Sequence, residues 1–170
     1  MNAFYATVCK TGSTRTCLEL RARDSERLLE TLDIVPATQD HRSYIISTWV
    51  RSYNAQARRM AVSIGLSGHA KLDTSEYGPG ESKVAERNWE RCHVVTSPGN
   101  PFTIHAWVCA DEHRLWHVYV PPELRGHGVA RALVEHYAGT DYRVSKPWPR
   151  TPSGHRVLWN PYLNVETFNV

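Results

Sequence analysis

The residues from Val118 to Leu133 have the types and the order that could bind an anion such as phosphate. A strand-like run ends at Val120, a tight turn with two glycines follows at residues 125–130, and a helix-like pattern then begins. The start of a helix leaves several backbone N–H groups without partners, and the helix dipole adds partial positive charge there. Glycine has no Cβ, so the backbone can approach a ligand closely. This arrangement is typical of a phosphate-binding turn.

The charge around the turn favours an anion, but the glycines alone leave an alternative open. Arg125, His127 and Arg131 add positive or potentially positive charge. The run does not match the dinucleotide fingerprint G-x-G-x-x-G, and it lacks the Gly-Lys-Ser/Thr of the P-loop. A strand–turn–helix corner that uses glycine for its shape alone is therefore the competing interpretation.

Strands and a helix surround this turn. Three strand-like runs lie at residues 92–96, 102–110 and 114–120, and short separators rich in turn-forming residues join them. Such separators predict an antiparallel meander. A helical stripe follows at residues 128–138, and a further strand is expected at residues 142–145. The turn is thus expected to connect the last strand of a meander to a helix.

The first part of the chain predicts a hairpin and then helices. Residues 3–21 alternate loosely around a turn cluster at residues 10–13, which indicates a β-hairpin. An Asp-Ser pair can cap a short helix at residues 24–32. Residues 33–36 are expected to form a short strand that ends at a proline.

A longer helix is expected next, with Thr38 or Asp40 as its N-cap. Its apolar residues recur at three-to-four spacing on one face: Tyr44, Ile45, Thr48, Trp49 and Tyr53. A second helix is expected at residues 59–66, a turn or loop at residues 77–80, and another short helix at residues 82–91. The proline-rich, aromatic stretch at residues 146–161 predicts no regular helix.

The order of these elements predicts a mixed α/β (α+β) fold with a mostly antiparallel central sheet flanked by helices. Residues 1–32 are interpreted as an N-terminal extension of hairpin and helix, and residues 33–170 as the main domain with an atypical tail. The 170 residues suit one such domain, and 41% apolar residues can form a sizeable core.

Charge and targeting signals narrow the class of protein. The formal net charge of +3 is mildly basic, which fits an anionic ligand without requiring nucleic acid. No run approaches the roughly 20 apolar residues of a membrane-spanning helix, and no secretory signal is recognised. A cytoplasmic protein with reduced thiols is therefore expected. The four cysteines are interpreted as small buried hydrophobic residues: Cys9, Cys17, Cys92 and Cys109.

The turn and its flanking elements resemble the GNAT superfamily of acetyltransferases. The run Arg-Gly-His-Gly-Val-Ala at residues 125–130 fits the R/Q-x-x-G-x-G/A signature of that family. The strand before it, the helix after it, the meander upstream and the strand downstream fit as well. The resemblance is good over residues 102–145, loose over residues 33–101, and absent from residues 1–32 and the tail. The small size, the N-terminal hairpin and the tail would suit a phage or mobile-element member.

This resemblance implies acetyl-coenzyme A (acetyl-CoA) as cosubstrate and an N-acetyltransferase activity. Backbone groups of Val118 and Val120 would pair with the pantetheine arm as an added strand would. The turn would hold the pyrophosphate through its amides and neighbouring charges, and the residues implied are Arg125, Gly126, His127, Gly128, Val129, Ala130 and Arg131. An amine would then attack the thioester directly, with most of the catalysis supplied by positioning and by a base.

The proton-transfer residues are less well indicated than the cofactor site. Trp116 and Arg114 stand where some family members carry an ionisable base, and neither can act as one near neutral pH. His105 and His117 are the candidate bases, ahead of Glu112 and His113 in the following turn, and a water chain is an alternative. Tyr162 in the tail is the candidate general acid toward the thiolate.

Other binding functions compete with these interpretations. A zinc site at His105, Cys109, His113 and His117 would need four converging ligands, and no metal is expected. Basic and aromatic residues on the first helices could bind nucleic acid, although a solvated helix face with a buried aromatic stripe is favoured: Trp49, Arg51, Tyr53, Arg58 and Arg59. No membrane partner is expected, and a homodimer is one alternative for the oligomeric state.

Three functions follow from this sequence. The first is an N-acetyltransferase acting on an amine of a small molecule, a protein lysine or a protein N-terminus. The second is an enzyme of the same fold that modifies a nucleobase or transfers another acyl group. The third is a non-catalytic binding or inhibitor protein that keeps the fold.

Overall fold

The computed structural model describes residues 4–12, 15–63, 74–144 and 153–159. Eight strands and three α-helices follow one another along the chain: β1 (Phe4–Thr11), β2 (Arg15–Ala22), β3 (Leu28–Pro36), α1 (Gln39–Ser63), α2 (Thr74–Asn88), β4 (Cys92–Ser97), β5 (Asn100–Asp111), β6 (Arg114–Tyr119), α3 (Val129–Tyr137), β7 (Asp141–Val144) and β8 (Arg156–Trp159). Two units are distinguished by their internal contacts. One comprises Met1–Ala37 with Arg91–Val170, and the other comprises Thr38–Glu90.

The larger unit is built on one eight-stranded sheet in which the strands lie in sequence order, β1 to β8. Neighbours are antiparallel from β1 through β6, whereas β6–β7 and β7–β8 are parallel. Helix α3 makes the crossover between the two parallel strands β6 and β7, as parallel pairing requires. The mixed fold with a mostly antiparallel sheet that the sequence predicts is confirmed.

The core of this unit lies between the sheet and α3. The helix buries Val129, Leu133 and Val134, which recur on one side of it. The strands contribute alternate residues to the same cluster: Leu18, Leu20, Leu32, Ile34, Val95, Ala106, Val108, Ala110, Leu115, Val120, Tyr142 and Val144. Gly139 has a φ of 77° just past the helix, a left-handed conformation that suits glycine and ends α3 where the sequence predicts.

The smaller unit contains α1 and α2, which pack against each other. Ile45 and Trp49 of α1 are fully buried, so the predicted apolar stripe is confirmed. The indole Nε1 of Trp49 donates to Glu81 Oε2 at 3.3 Å, and Arg42 forms an ion pair with Glu86. Buried Trp49 is therefore a packing residue, with no face available for a nucleobase. The side chains of residues 58 and 59 lie outside the described part of the chain.

One helix prediction and one loop prediction are wrong. Residues 28–32, expected to continue a short helix, belong to β3, where Leu32 and Ile34 are buried in the core and the strand pairs with β2 and β4. Residues 77–80, expected to form a turn, lie within α2. In both places tertiary pairing and packing outweigh the local propensities of the residues.

The tail contains a strand that the sequence did not predict, and the first cysteines differ from expectation. Strand β8 lies inside the proline-rich stretch for which no regular helix was predicted, and it pairs with β7. Cys9 and Cys17 face each other across the β1–β2 hairpin and form a disulfide. The interpretation of all four cysteines as reduced, buried thiols is therefore wrong for this pair, whereas Cys92 and Cys109 are buried thiols outside any disulfide.

The second helix expected at residues 59–66 is not separate, because α1 continues to Ser63; residues 64–66 lie outside the described residues. Within the described ranges, no helix has both the length and the apolar character that a membrane crossing requires.

Candidate functional site

The glycine turn connects β6 to α3 as the sequence predicts. A short 3-10 helix at Pro122–Leu124 follows the strand, and Gly128 then stands as the N-cap of α3. Gly126 and Gly128 have φ values of 80° and 83°. Only glycine adopts this region readily, so these residues are needed for the backbone path. Both glycines are exposed, so the turn is open to solvent.

A run of backbone amides in this turn has no acceptor. The last amide before the run, that of Arg125, donates to Pro122 O at 3.3 Å, and the first amide after it, that of Ala132, donates to Gly128 O at 2.9 Å. The amides between them, from Gly126 to Arg131, have no hydrogen-bond acceptor among the described residues. Consecutive free N–H groups at a glycine turn and a helix start form an anion-binding concavity.

Two arginines flank this run of amides. Arg125 Nε donates to Val120 O at 2.8 Å, which holds the guanidinium beside the end of β6. Arg131 Nε donates to Glu135 Oε1 at 2.7 Å, one turn further along α3. The two cations and the helix dipole together give the turn a positive electrostatic potential.

Strand β6 contains a bulge before the turn. The pairing with β5 runs Ala110 with Leu115 and then Cys109 with His117, so β6 has one extra residue, Trp116. A bulge of this kind shifts the alternation of the strand by one residue. Leu115 and Val120 consequently lie in the same core, whereas a regular strand would have placed them on opposite faces.

The bulge also sets the direction in which the backbone groups of β6 point. Before the bulge, His113 O accepts from Arg143 N of β7 at 2.8 Å, so the backbone N–H and C=O groups of the odd-numbered residues there point toward β7. After it, alternation directs the N–H and C=O groups of His117 and Tyr119 toward β5, and those of Val118 and Val120 toward the β7 side. Within the described residues, Arg114 and Leu115 are the only residues of β6 that pair with β7. The backbone of Val118 and Val120 therefore faces the edge of β6 where the sequence analysis expects an added strand.

The first strand of the chain supports the turn from its other side. Ala6 N of β1 donates to His127 O at 3.0 Å. The rings of Phe4 and His127 stack with their centroids 3.6 Å apart and an angle of 8° between their planes. A sequence pattern does not reveal this contact, because it depends on the sheet curling until β1 meets α3.

The candidate base His117 lies on the face of the sheet opposite α3. The rings of His117 and Trp107 are 5.3 Å apart, and Trp107 also stacks on Tyr119 at 6.1 Å. His105 lies two residues before Trp107 on β5, at a register shift in the pairing with β4 that leaves His105 as the extra residue of the strand. Its Nε2 is hydrogen bonded to Ser97 Oγ at 2.8 Å. The candidate acid, Tyr162, lies outside the described residues.

The histidines and cysteine considered as zinc ligands do not converge. His113 Nδ1 is hydrogen bonded to Asp141 O, and His105 is bound to Ser97. Burial raises the pKa of the Cys109 thiol well above its ordinary value, and Cys92 next to it raises it further. In the described part of the chain, one group of three metal-ligating side chains is close enough to share an ion, Cys9, Cys17 and Glu19. Both of its sulfurs are used by the disulfide.

A chain of hydrogen-bonded polar side chains links α3 to β7 and to the segment before β8. The sequence analysis did not predict this chain. The buried His155 accepts or donates at both nitrogens, with Nε2 2.8 Å from Glu135 Oε1 and Nδ1 3.3 Å from the Tyr142 hydroxyl. Burial raises the pKa of Glu135, but the hydrogen bonds from His155 and Arg131 outweigh it and hold the pKa below its ordinary value. No spacing signal could have found this chain, because its members come from α3, β7 and the segment before β8.

Comparison of the chain with protein-family models, with curated proteins and with solved structures finds no match.

Proposed function

We propose that the chain is an acyltransferase that uses acetyl-CoA to acetylate an amine. The observation that carries the proposal is the run of free amides from Gly126 to Arg131 at an exposed glycine turn. A pyrophosphate bound there would accept several N–H hydrogen bonds, and charge-assisted bonds of this kind are among the stronger ones. A purely structural corner would leave the same helix-start amides exposed to water, so binding of an anion at these amides is what separates the two interpretations.

The bulged strand supports a site for the rest of the cosubstrate. The backbone groups of Val118 and Val120 face the edge of β6 beyond its short pairing with β7. An extended pantetheine arm could pair with them as an added strand does. Since Val120 O already accepts from Arg125, that guanidinium would be displaced or would share the carbonyl when the arm is bound.

The transfer step needs positioning and one proton acceptor. The lone pair of the amine attacks the thioester carbonyl, a C–N bond forms, and the C–S bond then breaks to release the thiolate of coenzyme A. The proton lost by the amine goes to a base, and the thiolate takes up a proton from solvent or from an acid. His117 and His105 are the candidate bases, and Nε2 of His105 is hydrogen bonded to Ser97 Oγ.

A second function is favoured by the residues that stand on β6. The strand carries Arg114 and Trp116 at the places where the resemblance implies a base. A protein that binds coenzyme A thioesters without transferring the acyl group would need the glycine turn and the edge of β6. It would not need a base. A transfer assay separates this binding protein from the enzyme.

Two measurements test these proposals in order. In a thermal melting assay, about 1 mM acetyl-CoA is expected to raise the melting temperature of the protein, because a ligand that binds the native state stabilises it. Transfer of radiolabelled acetyl groups to a panel of amines, including lysine peptides, peptide N-termini and small polyamines, is then expected to identify the acceptor. No shift in melting would contradict both proposals, whereas a shift without transfer to any amine would favour the binding protein.

We also propose that the protein is cytoplasmic. The Cys9–Cys17 disulfide tests this proposal, because disulfides are rare in reducing compartments. Rapid trapping of thiols in the producing cells measures the state of this pair there. A cytoplasmic location predicts that the pair is trapped reduced and forms the disulfide only after extraction, and a pair trapped as the disulfide would contradict this location.

A further inference from the structure

A cluster of three metal-ligating side chains lies on the β1–β2 hairpin, on the face of the sheet that is turned away from α3. Leu18 and Leu20 of β2 belong to the core under that helix. By alternation, Cys17 and Glu19 of the same strand lie on the other face. Cys9 of β1 lies directly opposite Cys17. Strand pairing therefore brings two sulfurs and a carboxylate together, and one ligand atom from each side chain lies within 4.8 Å of the other two.

The separations within this cluster are close to those of a zinc site. Zn²⁺ binds thiolate sulfur at about 2.3 Å and carboxylate oxygen at about 2.1 Å in a tetrahedron, so its ligand atoms lie about 3.5–3.8 Å apart. The Cα atoms of Cys9 and Cys17 are 5.4 Å apart. After reduction of the disulfide, rotation of the two side chains can bring the sulfurs to the separation that zinc requires. Three protein ligands leave the fourth position to a water molecule, as in open zinc sites.

The carboxylate of Glu19 is held in place by Arg21 and keeps one oxygen available. Arg21 Nε and Nη2 donate to Glu19 Oε2 at 2.9 and 2.7 Å, whereas Oε1 accepts no hydrogen bond among the described residues. Carboxylates that bind metals are commonly hydrogen bonded in this way, because the outer partner fixes their orientation. The Thr11 hydroxyl lies 3.3 Å from Cys17 Sγ and can donate to a thiolate there. A divalent cation and Arg21 together neutralise the charge of two thiolates and one carboxylate.

We propose that Cys9, Cys17 and Glu19 bind Zn²⁺ when the disulfide is reduced. Two molecules of a small thiol are oxidised to their own disulfide, and the two electrons and two protons that they lose convert the Cys9–Cys17 disulfide to two thiols. Zn²⁺ then displaces those two protons and binds the thiolates. The carboxylate ligand favours Zn²⁺ over Cu(I), which prefers soft ligands alone.

The site gives the hairpin a cross-link in either redox state. A disulfide joins β1 to β2 under oxidising conditions, and the metal joins them where small thiols keep cysteines reduced. The cross-linked strand β1 is the one that supports the glycine turn through Ala6 and His127. The inference does not depend on acyl transfer, because the cluster lies on the opposite face of the sheet from α3.

Cobalt titration of the full chain tests this proposal. The protein is reduced with a small thiol, which is then removed under argon, and Co²⁺ is added to the reduced and to the oxidised form. Thiolate ligation in the reduced form is expected to produce a sulfur-to-cobalt charge-transfer band and the strong visible bands of tetrahedral Co²⁺, complete at one equivalent per chain. Zn²⁺ should abolish these bands, because it binds such a site more tightly than Co²⁺. The oxidised form should show none of them.

Three variants assign the ligands through their Zn²⁺ affinities, measured in the reduced state by competition with a chromophoric chelator. Cys17→Ser and Glu19→Gln are each expected to weaken Zn²⁺ binding at least about tenfold, a loss that even changes in the outer partners of a ligand can cause. Glu30→Gln is the matched control and should leave the affinity unchanged, because Glu30 is an exposed carboxylate of β3 outside the cluster.

Several outcomes would overturn the proposal. They are the absence of the charge-transfer band in the reduced protein, equal Zn²⁺ affinity in the two redox states, and unchanged affinity in Glu19→Gln. Bands that survive undiminished in Cys17→Ser would assign the ligation to the other cysteine pair, Cys92 and Cys109, and would also overturn it. Circular dichroism establishes whether each form is folded. If reduction alone unfolds the chain, Zn²⁺ should restore the folded spectrum of the wild type, and a chain that stays unfolded with Zn²⁺ would contradict the proposal.

Discussion

Two glycine turns in the same sheet have the same backbone conformation but lead into different elements. Gly99 in the β4–β5 hairpin and Gly128 before α3 have φ values of 73° and 83°. The hairpin turn leads back into a paired strand: Ser97 lies opposite Asn100, and after a register shift Thr96 lies opposite Ile104. The other turn leads into a helix, whose first amides have no ladder or preceding turn to accept them. A glycine turn therefore becomes a candidate anion site through the element that follows it.

The two turns also differ in what supports them. The β4–β5 turn is held by its own strands, whereas the turn before α3 is held by a distant part of the chain, through Ala6 and Phe4 of β1. The disulfide between Cys9 and Cys17 ties that strand to β2. Replacement of Cys9 and Cys17 in the β1–β2 hairpin is thus expected to affect the anion site, although neither cysteine is part of that site.

The largest effect is expected when one carboxylate is placed in each turn. Gly128→Glu should weaken acetyl-CoA binding at least about a hundredfold, because the new charge repels the pyrophosphate at the free amides. Gly99→Glu introduces the same charge and similar backbone strain at the other turn and should leave the affinity unchanged. Calorimetric affinities of the two variants give the comparison. Equal losses in both would mean that strain or net charge, and not the amide site, determines binding.

The next effect concerns the support of the turn by β1. Replacement of Cys9 and Cys17 by serine together should lower the free energy of unfolding by about 2–3 kcal/mol, as expected for the loss of a disulfide that closes a short loop. The acetyl-CoA affinity should fall as well, because β1 is held less firmly against His127. Denaturant unfolding and calorimetry measure the two quantities.

A thiol titration of the wild-type protein accompanies this double variant. Under non-reducing conditions the unfolded chain should show two reactive thiols, those of Cys92 and Cys109, and the native protein none, because both are buried. Four reactive thiols in the unfolded chain would contradict the disulfide. An unchanged affinity in the double variant would show that the turn does not depend on β1.

A smaller effect, on kcat and its pH dependence, distinguishes the two candidate bases. Each of them lies on a strand next to one of the two compared turns. His105 is bound to Ser97 beside the β4–β5 turn, and His117 lies on the strand that leads to the turn before α3. His117→Gln should lower kcat about tenfold and remove the fall of kcat on the acidic side of the pH–rate profile, because a general base must be deprotonated to act; KM for acetyl-CoA should change little. His105→Gln should leave the profile intact. The reverse pattern would assign the base to His105.

The smallest effect concerns the carboxylate of Glu135 on α3. Because its neighbours hold the pKa of Glu135 below the ordinary value, the ionised form stabilises the folded state above the unfolded pKa near 4.5. This stability is lost as the pH falls through the lower folded pKa. Glu135→Gln should therefore lower the free energy of unfolding by about 0.5 kcal/mol at pH 7 and by less near pH 3, since the side chain is 36% exposed and screened by solvent.

Denaturant unfolding at the two pH values measures this difference. The control is Glu112→Gln, because the side chain of Glu112 is 92% exposed. An equal change at pH 7 and pH 3 in Glu135→Gln would mean that the charge of Glu135 does not contribute to stability.

The sequence predicted the elements around the turn well, for reasons that are local. The meander, α3 and its end at Gly139 were all predicted, because alternation, apolar spacing and glycine at a helix end are encoded within a few residues. Residues 28–32 and 77–80 were predicted wrongly, because strand pairing and helix packing with distant segments determine their structure. The Cys9–Cys17 pair had a partial signal, since one cysteine lies on each strand of the predicted hairpin.

By itself, the sequence determined that a glycine turn joins a strand to a helix, and hence that free amides would be present there. Short-range sterics and the hydrogen-bond geometry of a helix start are sufficient for that. Only the tertiary structure decided which backbone groups of β6 face outward, because the bulge at Trp116 depends on pairing with β5. It also decided that β1 forms a wall beside α3, because the sheet must curl before Phe4 and Arg23 reach that helix.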